Sequence, residues 1–194
     1  MIKRIHHGAA LAVIVLCLAG CAKNPFGLRD AQDPVQDEGT YVTPIDPVIA
    51  LDNLRFAMIE QNIGHYVQVF SDSLSYRFDY LLADRPDTLS GWGYAEETRI
   101  ARNLFSAAGN ISLVWMTTPG RSDQLSDSTA VFYRTYTLDA VVMDADTLAT
   151  LSCAGDVIFY LERNSIDLWW VQDWEDFHES AQRLSWADLK SRFR

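Results

Sequence analysis

The chain has 194 residues, 48% of them hydrophobic, and 16 Lys and Arg against 26 Asp and Glu give it a formal charge of −10 at pH 7. That acidity argues against nucleic acid or an anionic lipid surface as a partner, because either would need a basic patch that the sequence does not show. With three cysteines and four histidines, two of the latter within the first eight residues, neither a disulfide framework nor a histidine-rich metal site is indicated.

The opening "MIKRIHHG" carries Lys3 and Arg4 and is followed by an uncharged apolar stretch from Ala9 to Ala19. Eleven helical residues rise only about 16 Å, roughly half the hydrocarbon thickness of a bilayer, so this stretch reads as an export signal and not as a permanent span. It ends in "LAGC", Leu18 to Cys21, which resembles the lipobox of bacterial lipoproteins. The resemblance implies that the Cys21 thiol receives a diacylglycerol, that the chain is cut just before it, and that the new amino terminus is acylated. Two or three acyl chains anchor durably where one is marginal. An ordinary secretory signal with an incidental cysteine is the alternative. Cys17 leaves with the signal, so Cys153 has no partner and reads as a small buried hydrophobe. Loss of Lys3 and Arg4 leaves 14 basic against 26 acidic residues, a charge of −12.

Three regions follow: a signal over 1–20, a lipidated cysteine and flexible tether over 21–44, and one domain over 45–194. The tether is rich in Asp, Gln, Pro and Gly, lacks periodicity, and would hold the domain on the order of 25 Å from the bilayer. Asp46 before Pro47 predicts a helix start, with Ala50, Leu51, Leu54, Ala57 and Met58 on one stripe and Ile49, Phe56 and Ile59 on a second. Two apolar faces predict a sandwiched helix. A short helix is expected over His65 to Phe70, then a turn at "SDS" and a strand over Leu74 to Phe78. In "WGYAEETRIARNLFSAAGN", Tyr94, Thr98, Ala101, Leu104 or Phe105, and Ala108 recur at helical spacing, with "GN" as the stop. Trp92 is placed to staple that helix to a sheet.

Four segments rich in β-branched and aromatic residues come next, separated by "PGRSDQLSDS", "DADT" and "NS", and they predict consecutive antiparallel strands. A last helix starts at Ser185, with Trp186 placed to dock it. This order resembles the NTF2-like superfamily, the SnoaL-like or cystatin-like α+β cone, over about Pro44 to Phe177. "ALDNLRFAMIEQNIGHYVQVFSDSLSY" looks like its opening helices and "DLWWVQDWED" like its last strand. The resemblance implies an α+β fold in which a curved antiparallel sheet wraps around N-terminal helices and leaves a cone-shaped pocket. Members use that pocket for proton transfer on a steroid or polyketide, for small-ligand binding, or only dimerise through the sheet, so fold alone does not choose.

Proton transfer needs a carboxylate or histidine base in an apolar pocket and a Tyr or protonated Asp for the oxyanion. Asp156, Asp173 and His65 are the candidate bases, and Tyr76, Tyr133, Tyr136 and Tyr160 the donors, but no pair sits at a diagnostic spacing and no catalytic residue is assigned. On the last strand Leu168, Trp170 and Trp174 share a parity assigned to the inside of the cone, leaving Trp169, Val171 and Asp173 outside. Asp173 then reaches the pocket only through reversed faces or a bulge. The expected pocket residues are Tyr133, Tyr136, Tyr160, Trp170 and Asp173. In "DWEDFHES", Asp173 and Glu175 project together and Asp176 to the other side, which is not a metal-ligand template, so no metal and no cofactor is expected. Nucleophile-elbow and Gly-rich phosphate-loop motifs are lacking. The sequence thus points to a lipid-anchored cell-envelope protein acting as a small-ligand-binding or protein-interaction module. Its expected partners are the membrane, a small apolar ligand or an envelope protein, and a second copy through the sheet. In the lipoproteins it resembles, an Asp after the lipidated cysteine often retains the protein in the inner membrane, so Ala22 at that position implies, for a Gram-negative source, the outer membrane facing the periplasm. An enzyme of the SnoaL or ketosteroid-isomerase type and a structural part of an envelope assembly stay open.

Overall fold

The computed structural model describes residues 40–79, 92–144, 147–180 and 182–194. The export segment, Cys21, most of the 21–44 tether and residues 80–91 lie outside the described residues, as does the side chain of Tyr76.

Helix α1 spans Pro47–Ile59, and its start is chemical: the Asp46 carboxylate accepts from Val48 N at 2.8 Å while Pro47 fills the first turn. Ala50, Leu51, Leu54, Ala57 and Met58 are buried, as the first stripe predicts. The second stripe is not sandwiched. Ile49 and Phe56 are half-buried and Ile59 is exposed, so α1 covers the sheet on one side only. Helix α2, Ile63–Gln68, is capped by the Asn62 side chain. Strand β1, Phe70–Asp79, starts earlier than expected and takes in "SDS", with an irregularity between Phe70 and Ser75 where a turn was expected. Helix α3 covers Tyr94–Ala107, but its inward stripe is Glu97, Ile100, Ala101, Leu104 and Phe105, rotated from the expected one so that Tyr94 and Thr98 are only half-buried. No loop follows it: strand β2, Ala108–Thr117, begins at once and a bulge between Ala108 and Asn110 replaces the expected stop.

The remaining elements are β3 (Gln124–Leu125), β4 (Thr129–Asp144), β5 (Thr147–Arg163), β6 (Trp169–His178) and helix α4 (Trp186–Arg192). The sheet runs β1-β6-β5-β4-β2, with β3 also paired to β4. The meander from β2 to β6 is antiparallel, and β1 closes its edge by pairing parallel to β6. This sheet is strongly curled into a half-barrel. Side chains alternate across it: Phe132, Tyr136, Leu138 and Ala140 of β4 and Val157, Phe159 and Leu161 of β5 are buried, while Tyr133, Thr135, Asp156, Ile158 and Tyr160 lie on the other face.

Strand β6 breaks the expected parity. Tyr160 pairs with Asp173 but Leu161 with Val171, so Gln172 is left over as a bulge. Before it Trp169 (5% exposed) and Val171 (0%) face inward; after it Trp174 (0%) and Asp176 (1%) do. Trp174 is inside as expected, whereas the placement of Trp170 inside is corrected: Trp169 takes that side and Trp170 faces out. One extra residue exchanges the faces of everything before it.

Residues 40–44, read as the end of the tether, are held to the domain. Buried Asn53 accepts from Val42 N at 3.0 Å and donates to Val42 O at 2.6 Å, Trp169 N donates to Pro44 O at 2.8 Å, and Tyr41 stacks on His65 with ring centroids 5.1 Å apart. A chain starting at residue 45 would leave the Asn53 amide without these partners, and one unsatisfied buried polar group costs about 1–3 kcal/mol. Its urea midpoint is expected to fall below that of a chain starting at residue 40. Equal midpoints would show that the strap contributes nothing.

Candidate functional site

The concave side of the sheet is packed with rings. Trp174 and Trp186 meet edge to face at 4.5 Å between centroids, Phe159 lies 5.0 Å from Trp174, and Tyr136 lies 5.4 Å from Trp186. All four are essentially inaccessible. Inside this apolar mass sits a buried ion pair, Lys190 Nζ 2.7 Å from Glu97 Oε1, with the two side chains 2% and 1% exposed. The Glu97 carboxylate also accepts from the Tyr66 hydroxyl and, at 2.8 Å, from Trp92 Nε1. Lys190 Nζ stands 3.6 Å from the centre of the Trp174 ring, so an ammonium is held between a carboxylate and an indole face. Burial pulls the Lys190 ammonium down to about 8, with Glu97 opposing the shift, and burial pushes the Tyr66 phenol well above its usual value.

A second buried pair lies alongside. The Tyr136 hydroxyl donates to Asp176 Oδ1 at 2.7 Å, Ala187 N donates to Asp176 Oδ2 at 2.8 Å, and Trp186 N donates to the Tyr136 oxygen at 2.7 Å. Burial raises the Asp176 carboxyl above the ordinary carboxylate range and raises Tyr136 as well. A buried carboxylate bonded to a tyrosine has the composition of a proton-transfer pair. Here the first amides of α4 engage both residues, so the pair docks a helix. The same helix carries a complete capping box between Ser185 and Asp188, and Asp188 Oδ2 lies 2.7 Å from His178 Nε2.

Of the residues expected to form the pocket, Tyr136 alone faces this interior. Tyr133, Tyr160 and Asp173 lie on the outer face, where the Tyr160 hydroxyl donates to Glu175 at 3.3 Å and the Tyr133 hydroxyl accepts from Gln124 at 3.2 Å. Trp170 borders a shallow outer groove with Ser71, Glu162 and Gln172. Of the proposed bases, His65 is buried in α2 and Asp156 is on the outer face. Cys153 is buried and its thiol is pushed up to about 12, mainly by burial, which leaves it protonated and unreactive. Among the described residues no three His, Cys, Asp or Glu side chains are grouped to hold a metal. The sequence reading missed Glu97 and Lys190. Their signal was a charge inside an apolar stripe: Glu97 precedes Ile100 and Ala101 by one turn, and Lys190 follows Trp186 by one turn.

No family model matches the chain, and no curated protein matches it in sequence. Solved structures do match in shape. A conserved protein from Planctomyces limnophilus superposes with a TM-score of 0.53 at 10% identity, over 65% of this chain and 88% of that one. A protein named as an aromatic ring hydroxylase from Novosphingobium aromaticivorans gives 0.52 at 12% identity, over 68% and 85%. A Kribbella flavida protein gives 0.51 at 11% identity, over 66% and 84%. The fold is the NTF2-like cone. At such identities the likeness extends to the fold and carries no activity with it. On the concave side of this NTF2-like domain α4 brings Trp186 and Lys190 against Trp174.

Proposed function

We propose that the protein is a lipid-anchored component of the bacterial cell envelope, facing the periplasm from the outer membrane in a Gram-negative source, whose NTF2-like domain binds a ligand or partner on the outside of its sheet. One observation supports the choice against catalysis in the cone: among the described residues Trp174, Trp186 and Lys190 pack into it, and the amides of α4 engage the Tyr136–Asp176 pair that faces it. That carboxylate–tyrosine pair is therefore used to dock a helix. The anchor rests on Cys21 in "LAGC". In a Gram-negative host fed labelled palmitate, the full chain is expected to take up label and sediment with membranes, and Cys21→Ser to do neither. Label on the Cys21→Ser chain would overturn the anchor. Steroids titrated into the protein are expected to leave tryptophan emission unchanged, and a saturable one-to-one response would overturn the closed cone.

A further inference from the structure

On the outer face of the sheet, near the turn that follows β2, a cavity of about 220 Å³ opens to solvent. Its wall is firmly built. In Thr118-Pro119-Gly120-Arg121 the Arg121 amide closes a turn on Thr118 O at 3.1 Å, and Gly120 has φ +77° after a proline, as a type II turn requires. Two residues on, Asp123 makes a two-pronged bond with Arg134, at 2.6 and 2.8 Å, and accepts from Tyr133 N at 3.2 Å. The loop is thereby stapled to β4, and the Arg121 guanidinium is set 5.0 Å from the centre of the Tyr133 ring. Register supplies the opposite charge. Thr135 pairs with Asp156 and Asp156 with Phe177, so the Asp156 carboxylate borders the same cavity, with Oδ1 accepting from the Thr135 hydroxyl at 2.6 Å. Ile158 and Phe177 give it an apolar wall. Among the described residues neither Arg121 nor Asp156 has an ion-pair partner. A guanidinium and a carboxylate, neither in an ion pair, thus border one small cavity whose other lining residues are Thr118, Tyr133, Val157, Ile158, Phe177 and His178.

We propose that this cavity binds a small zwitterion of the α-amino-acid type. Its carboxylate meets the Arg121 fork, with the Thr118 hydroxyl beside it, its ammonium meets Asp156, and its side chain lies on Ile158 and Phe177. At about 220 Å³ the space is below the roughly 300–1,000 Å³ of sites for drug-sized ligands, and it suits a single amino acid better than a steroid or polyketide. This inference rests on the reading that the domain binds outside its sheet, and it names the site and the ligand class.

The test is calorimetric titration of the full chain in detergent with each of the twenty protein amino acids. For any that bind, the matching carboxylic acid without its amine and the matching amine without its carboxylate are titrated too. At least one amino acid is expected to bind one to one, each single-charge analogue at least tenfold more weakly. Arg121→Gln and Asp156→Asn should each weaken binding tenfold or more with unchanged melting temperature. No binding across the panel, equal binding of the amine-free acid, or unchanged affinity in both variants would overturn the proposal. Label uptake at Cys21 and the tryptophan response to steroids do not involve this cavity, so they judge the broader reading separately.

Discussion

Replacing Glu97 with alanine is expected to lower the unfolding free energy by about 3–5 kcal/mol, the range seen when one partner of a buried ion pair is removed. The cost has two sources. Lys190, 2% exposed, loses its counter-charge and must stay charged unpaired or give up its proton, and the Tyr66 hydroxyl and Trp92 indole lose their acceptor. Glu97→Leu combined with Lys190→Met is expected to recover much of the loss, because two apolar side chains carry no charge to desolvate. Urea unfolding of the two variants measures both effects, and a loss under about 1 kcal/mol for Glu97→Ala would show that the pair contributes no more than an exposed one. The pH profile is a separate readout. Lys190 titrates near 8 in the folded chain against 10.5 ordinarily. Below 8 both states hold the proton and the cost of burying the ammonium is felt in full. Between about 8 and 9 the unfolded state holds more protons through Lys190, so stability rises with pH, and the rise is offset over the window from 9 to 10.5, where the unfolded Cys153 thiol releases its proton while the buried thiol keeps it. Above it the unfolded tyrosine releases its proton while Tyr66, raised by burial, keeps it, and stability turns down. Lys190→Met should abolish the rise; an identical slope in that variant would assign it to another group.

Gly155→Ala is expected to be worse still, beyond about 4 kcal/mol or without a folded product, which places it in the exceptional tail of single substitutions. A methyl on Gly155 would stand 2.1 Å from Phe177 O and 2.9 Å from the Tyr136 hydroxyl. The first atom belongs to the backbone of the paired strand β6 and the second to the group that receives Trp186 N, so neither can retreat without opening the ladder or undocking α4. Gly109→Ala is the control. Its methyl would meet Val141 O at 3.9 Å, ordinary contact, and is expected to change stability by less than about 1 kcal/mol. Similar midpoints for the two variants, with near-UV circular dichroism preserved in both, would refute the close-approach role of Gly155.

What could be read from the sequence was local chemistry. The Asp46-Pro47 start of α1, the Ser185 cap of α4 and the four long strands are each specified within a few residues, and each is found in place. The fold class followed from their order. The site did not, because it is made by pairing. Parity on β6 failed at Gln172, a bulge set by how β6 registers against Tyr160 and Leu161 of β5, which no pattern inside β6 reveals. Tyr133 and Tyr160 fell outside because their positions alternate with buried Phe132 and Phe159. Glu97 and Lys190 are remote in the chain and meet only when α3 and α4 pack, and Arg121 and Asp156 share a cavity through the turn after β2 and the register of β4 on β5.

The docking of α4 also bears on the order of events in folding. Residues 184–190 follow every described strand, so a chain made amino end first can complete its sheet while Glu97 still lacks Lys190 and the place of Trp186 is empty. The last contacts to form are then the ones that seal the interior. Interactions absent from the transition state act on the rate of unfolding and hardly on the rate of folding, so if α4 docks after that state, Trp186→Ala speeds unfolding and leaves refolding unchanged, and α4 is then a latch that sets how long a finished molecule lasts.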